Sequence, residues 1–158
     1  MGVEIERKFL VDHDKWHQFN KPEGTHYRQG YMLDEVKRTV RIRVAGNQGF
    51  ITIKGSTSGI TRKEFEYEIP VADAIELLDG FTASDIEKVR YKIHFEGKLW
   101  EVDEFHGDNE GLIVTEIELQ HEDEQFHKPD WVMVEVSDDK RYFNSNLSKS
   151  PYKTWNNK

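Results

Sequence analysis

The chain has 158 residues, enough for one domain that buries about two-thirds of its unfolded surface without disulfide or metal staples. Its 22 Lys and Arg against 30 Asp and Glu leave a net charge of −8, which excludes a general polyanion binder but not a local basic pocket. With 36% hydrophobic and 12% aromatic residues it is too rich in core formers for a disordered chain, and too broken by charge for a membrane span.

Cysteine is absent, so disulfides, thiolate zinc sites, thiol nucleophiles and iron–sulfur clusters are ruled out, and any metal must be held by oxygen or imidazole. Met1–Leu10 already carries Glu4, Glu6, Arg7 and Lys8, which leaves no room for a secretory leader and makes the cytoplasm the expected compartment. No linker, repeat or low-complexity stretch divides the chain, so residues 1–158 are expected to form a single domain.

Taken in order, the first element is a strand. In Val3–Phe9, Glu4, Glu6 and Lys8 alternate with residues that are mostly apolar. Asp12–Asn20 follows as a short helix with Asp12 as its cap, and Tyr27–Leu33 returns to strand. Thr39–Val44 sets Arg41 and Arg43 against Val40, Ile42 and Val44, and Phe50–Lys54 sets Thr52 and Lys54 against Ile51 and Ile53. Ala45–Gly49 between them reads as a hairpin turn. Further strands carry Glu64, Glu66 and Glu68; Lys88, Arg90 and Lys92; Glu101 and Asp103; and Glu116 and Glu118; Trp131–Val136 adds one more. Helices are expected at Val71–Leu78, after Pro70, and at Asp123–His127.

Eight or nine short strands suit a barrel or a sandwich. Each strand alone reads as part of an antiparallel sheet with one solvated face. The ensemble is less ordinary, because nearly every polar position is Glu, Asp, Lys or Arg. If the sheet closes, these charges can line a lumen about wide enough for one small ligand. Such a lumen needs a highly charged guest with counterions, since unpaired buried charge is costly. Glu4 with Glu6 and Glu116 with Glu118 each place two carboxylates side by side, and with Asp103 they make an oxygen cage suited to Mg²⁺ or Mn²⁺. Lys8, Arg41, Arg43, Lys54, Lys88 and Arg90 suit a compact polyphosphate, which no glycine-rich phosphate loop is present to bind. The histidines His13, His17, His26, His94, His106, His121 and His127 read as surface residues. Trp16, Phe19, Trp100 and Phe126 read as a seam between helix and barrel in preference to a stacking site for a base.

Glu4-Ile5-Glu6-Arg7-Lys8 resembles the E-x-E-x-K signature of the CYTH superfamily, the triphosphate tunnel metalloenzymes. Arg28-Gln29-Gly30-Tyr31, Arg41-Ile42-Arg43, Thr52-Ile53-Lys54, Glu64–Glu68, Lys88–Tyr91, Trp100–Phe105, Glu116–Leu119 and Asp139–Tyr142 match the family in order, so the likeness runs from Val3 to about Leu147. It is greatest to short bacterial inorganic triphosphatases. The resemblance implies an all-β-dominated fold, an eight-stranded antiparallel barrel forming a tunnel with a few short helices packed outside. It implies Glu4, Glu6, Glu116 and Glu118 as metal ligands, with Asp103 as a further ligand or water-orienting group. Lys8, Arg41, Arg43, Lys54, Lys88 and Arg90 would grip phosphate oxygens, with Arg141 added, and Tyr31 would lie near the terminal phosphate. It also implies a helix near a tunnel end, begun by Arg141-Tyr142; the tail beyond Pro151 is expected to be disordered.

The chemistry expected is hydrolysis of a triphosphate, with Lys54 or Lys88, crowded by other cations, as a base and an alkaline optimum as the consequence. Simple electrostatic binding is the other reading of both lysines. The same cage could serve a class IV-type adenylyl cyclase, a thiamine or nucleoside triphosphatase, or a non-catalytic polyphosphate-binding module. The expected partner is the small triphosphate, with no nucleic acid and no membrane, and a homodimer through an uncovered outer face is open.

Overall fold

The structure, a computed structural model, describes residues 2–156. Its elements in order are β1 (Val3–Val11), α1 (His13–Gln18), β2 (Thr25–Glu35), β3 (Arg38–Ala45), β4 (Gln48–Gly55), β5 (Thr61–Ile69), α2 (Val71–Phe81), β6 (Asp85–Phe95), β7 (Lys98–Phe105), β8 (Ile113–Glu118), β9 (Val132–Glu135) and α3 (Asn144–Lys149). Neighbouring strands run in the order β5-β4-β3-β2-β6-β7-β8-β1, all antiparallel, and β1 pairs back onto β5 to close a ring of eight strands. The closing contact is brief, with Val3, Glu4 and Ile5 opposite Lys63, Arg62 and Thr61. Farther along β1, β9 pairs at Phe9 and Val11, so this last strand continues the edge that β5 leaves.

Local chemistry sets the connections. Gly46, at φ 61, makes the two-residue turn between Ala45 and Gln48. Asp12 caps α1 by accepting the Lys15 amide at 3.0 Å, and Pro70 opens α2, where its missing N–H is no loss. The helix expected at Asp123–His127 is not formed. That stretch is turn and coil, with the Gln120 amide bound by the Glu124 carboxylate at 2.6 Å and Phe126 laid against Phe9 and Trp100. In the tail, Tyr152–Thr154 form a 3-10 turn, and Trp155 packs edge-on to both Tyr142 and Tyr152. The final part of the predicted tail, 157–158, lies outside the described residues. No helix among the described residues is long and apolar enough to cross a membrane.

Period-two alternation sends one row of each strand outward and the other inward. Outside, Phe9, Trp100, Val102 and Ile117 pack under Trp16 of α1 and under Trp131, which places the expected aromatic seam on the barrel's exterior. A second outer core joins Ile42 to Ala74 and Leu78 of α2. The inward rows change character along their length. Glu4, Glu6 and Lys8 of β1 are followed by Leu10; Arg90 and Lys88 of β6 by Ile86; Asp103 of β7 by Phe105; Glu116 of β8 by Val114. Leu10, Ile86, Phe105 and Val114 meet Tyr142 and Leu147 to form an apolar stopper at one end of this wall. Val3, Ile53, Phe65 and Tyr67 remain exposed on the outer face of β1, β4 and β5.

Candidate functional site

Above the stopper the ring encloses a cavity of about 470 Å³. Ten of the residues expected to act line it: Glu4, Glu6, Lys8, Tyr31, Arg41, Arg43, Lys54, Arg90, Glu116 and Glu118. Register explains the carboxylate wall. Glu6 lies opposite Glu118 and Lys8 opposite Glu116 across β1 and β8, so two acidic pairs from strands remote in sequence meet on one side.

Most of these charges are already paired. The Lys54 ammonium donates to both oxygens of Glu4 at 3.1 Å and lies 3.4 Å from Glu64. Arg41 donates to the Thr52 hydroxyl at 3.1 Å and lies 3.4 Å from Glu66, so Glu64 and Glu66 of β5 each pair with a lumen cation. Arg90 donates to both oxygens of Asp103 at 2.7 and 2.9 Å and to Glu116 at 3.2 Å. Lys8 is held by neutral groups, the Tyr142 carbonyl at 3.0 Å and the face of Phe143. Arg43 is likewise held by the Gln29 side-chain oxygen at 2.8 Å and the face of Tyr27.

Three positions differ from expectation. Asp103 and Lys88 are fully buried and do not line the cavity; the Lys88 ammonium is bound by Asp103 at 2.8 Å and Asn144 at 3.2 Å. The reason is height in the barrel, because Lys88 lies opposite Phe105 of the stopper. Asp103 has both oxygens on Lys88 and Arg90, which makes it a support for those cations. Arg141 is exposed, forked onto Asp139 and stacked over Tyr142 and Trp155 outside the lumen.

The electrostatics bear on the expected lysine base. Burial works to lower the Lys54 pKa, but Glu4, Glu6 and Glu64 outweigh burial and Arg41 and leave it raised. Burial brings Lys88 down to about 7, with Arg90 and Arg43 adding to it against the pull of Asp103 and Glu116, but this ammonium is sealed below the cavity floor. Of the two, Lys54 lines the cavity and Lys88 lies below it.

The profile of the CYTH domain matches residues 2–151. The chain belongs to the CYTH family. An inorganic triphosphatase of Acetivibrio thermocellus is 51% identical to this CYTH chain over 156 residues, which cover 98% of this chain and 99% of that protein. An inorganic triphosphatase of Nitrosomonas europaea is 36% identical, covering 94% and 98%. A crystal structure of an inorganic triphosphatase superposes with a TM-score of 0.64 at 34% identity, over 94% of this chain and 95% of that one. A Bacillus halodurans structure, at 17% identity and a TM-score of 0.62 over 77% and 84% of the two chains, shares the fold.

The fold of this CYTH chain fits a hard cation by donor chemistry. Burial, then Glu116 and Glu4, raise the Glu6 carboxyl well above its usual range, while Glu116, which burial alone would raise, is held well below it by Lys8, a hydrogen bond with Glu6, and Arg90. Two crowded carboxyls hydrogen-bonded together are a place where a divalent cation relieves repulsion. Among the described residues no three Asp, Glu or His side chains are gathered as a ready ligand set, and Lys54 and Arg90 pair with Glu4 and Glu116. Sequence reasoning missed Tyr27, Arg62 and the buried Gln29. Tyr27 and Gln29 share Tyr31's strand parity, and Arg62 shares that of Glu64, so parity was the available signal.

Proposed function

We propose that this CYTH protein hydrolyses inorganic triphosphate to pyrophosphate and phosphate with Mg²⁺ or Mn²⁺ as cofactor. The observation that carries this reading is a lumen of both signs, acidic along β1 and β8 and basic along β3, β4 and β6. A compact polyanion bound with a divalent cation is the guest that satisfies both walls at once. The names of the two curated relatives support the same substrate.

Glu4, Glu6, Glu116 and Glu118 would hold the metal. When bound, it supplies Lewis acidity to phosphoryl oxygens and lowers the pKa of bound water. The chain's own contribution is binding and orientation. Arg41, Arg43 and Arg90 present guanidinium groups to phosphate oxygens, and Lys8 and Lys54 add point charge. Lys88 and Asp103 hold Arg90 and the cavity floor in place, and Tyr31 lines the wall beside Arg41, its register partner. Fixed dipoles and charges of this kind stabilise the phosphoryl transition state without reorganising at the moment of reaction. Trp16 and Trp100 pack on the barrel's exterior and so are not placed to stack a base within the cavity.

The test is phosphate release from inorganic triphosphate, with ATP, thiamine triphosphate and pyrophosphate in parallel, with and without each metal, and with cyclic AMP measured in the ATP samples. Metal-dependent release greatest from inorganic triphosphate is expected. Tight binding without turnover would make the protein a polyphosphate-binding module, and cyclic AMP would make it a cyclase. A homodimer would bury the exposed outer face of β1, β4 and β5, and a monomer in sedimentation equilibrium removes that reading.

A further inference from the structure

The cations of the lumen and of its floor fall into two groups according to what holds them. Arg41, Lys54, Lys88 and Arg90 each have a carboxylate within 3.4 Å. Arg43 is different. Among the described residues no carboxylate lies within salt-bridge distance of its guanidinium, although it is buried and lines the cavity. Its Nε donates to the neutral Gln29 Oε1 at 2.8 Å, and its guanidinium carbon lies 4.8 Å from the centre of the Tyr27 ring. The same ring lies 5.1 Å from Arg90 and 5.8 Å from Lys88, so one aromatic ring serves three cations.

Burying a guanidinium without a counter-charge is costly, and a Glu at position 29 would be the simple remedy. Gln29 is instead fully buried, and its other side-chain atom, Nε2, has no hydrogen-bond partner. A neutral acceptor orients Nε without cancelling the charge, and a π face attracts a cation without neutralising it. From this we infer that Gln29 and Tyr27 are positioning residues that keep Arg43 as a guanidinium of the lumen without a carboxylate partner, a pre-oriented anchor for the incoming polyanion. At Arg41, Lys54 and Arg90 the substrate must displace a carboxylate; at Arg43 it meets a pre-oriented positive charge.

The inference rests on the triphosphatase reading, and isosteric variants separate the two. Gln29→Glu preserves size and the acceptor at Nε but gives Arg43 a carboxylate partner. KM for inorganic triphosphate is expected to rise at least tenfold, about 1.4 kcal/mol, with kcat within about threefold. Affinity for the same anion without metal, by calorimetry, is expected to weaken in proportion. Gln29→Leu removes the acceptor without adding charge and should raise KM by clearly less. Tyr27→Phe should match the wild type, whereas Tyr27→Leu should raise KM, and this second pair carries the test if Gln29→Glu fails to fold. Unchanged KM and affinity in Gln29→Glu, or equal effects of Glu and Leu at position 29, would overturn the inference; so would equal effects of Phe and Leu at position 27. A wild type that releases no phosphate from triphosphate overturns the functional reading itself.

Discussion

Glu6 lies between two other carboxylates on the acidic wall, and the proposed function rests on its charge, not its packing. Glu6→Gln keeps the shape and removes a repelled charge, so turnover with metal should fall by more than about a hundredfold while Tm stays within about 3 °C of the wild type. Steady-state assays beside thermal denaturation check both halves; an unfolded variant with unchanged activity per folded molecule would exclude Glu6 as a ligand. Arg41 belongs to the opposite wall and retains an unpartnered, buried Nε. Arg41→Ala should act mainly on binding, raising KM about tenfold with a smaller change in kcat. The assignment of these residues to one wall or the other was legible in the sequence, because E-x-E and R-x-R spacing places each pair on one side of a strand.

α2 contributes to the barrel without touching the cavity, so its substitutions should separate stability from function. The helix lies close enough over β4 that a Cβ on Gly49 would sit 2.8 Å from the Ala74 Cβ and 3.0 Å from the Ile69 carbonyl oxygen. Gly49→Ala should therefore cost about 1–3 kcal/mol through overpacking, and Leu78→Ala about 2–5 kcal/mol through the cavity it leaves. Urea denaturation measures both, and activity per folded molecule should be unchanged in each. The helices at 13–18 and 71–81 were readable from caps and the proline before α2. The expected helix at 123–127 was not formed because its one packed apolar residue, Phe126, is placed by the barrel's outer aromatics and not by a helical face.

For the whole molecule, the charged lumen makes folding and ligand binding one linked equilibrium. A triphosphate and metal that bind the ring and not the unfolded chain should add about 2.7 kcal/mol at a concentration of one hundred times Kd, a rise of roughly 5–11 °C in Tm. Differential scanning fluorimetry with triphosphate and Mg²⁺ reads this directly. An equal shift with monophosphate would show that the lumen does not select for chain length.

By itself the sequence determined the strands, the charged row on each and the family, because alternation and motif spacing are local properties of the chain. Only the tertiary structure decided which charged residues meet the cavity. Lys88 and Arg90 are two residues apart on one face and look equivalent in sequence, yet Arg90 lines the lumen and Lys88 is sealed beneath it. Strand parity says which way a side chain points, while its height along the barrel depends on register with neighbours. Lys88 pairs with Phe105 at the apolar stopper, and Arg90 pairs with Asp103 one step above it.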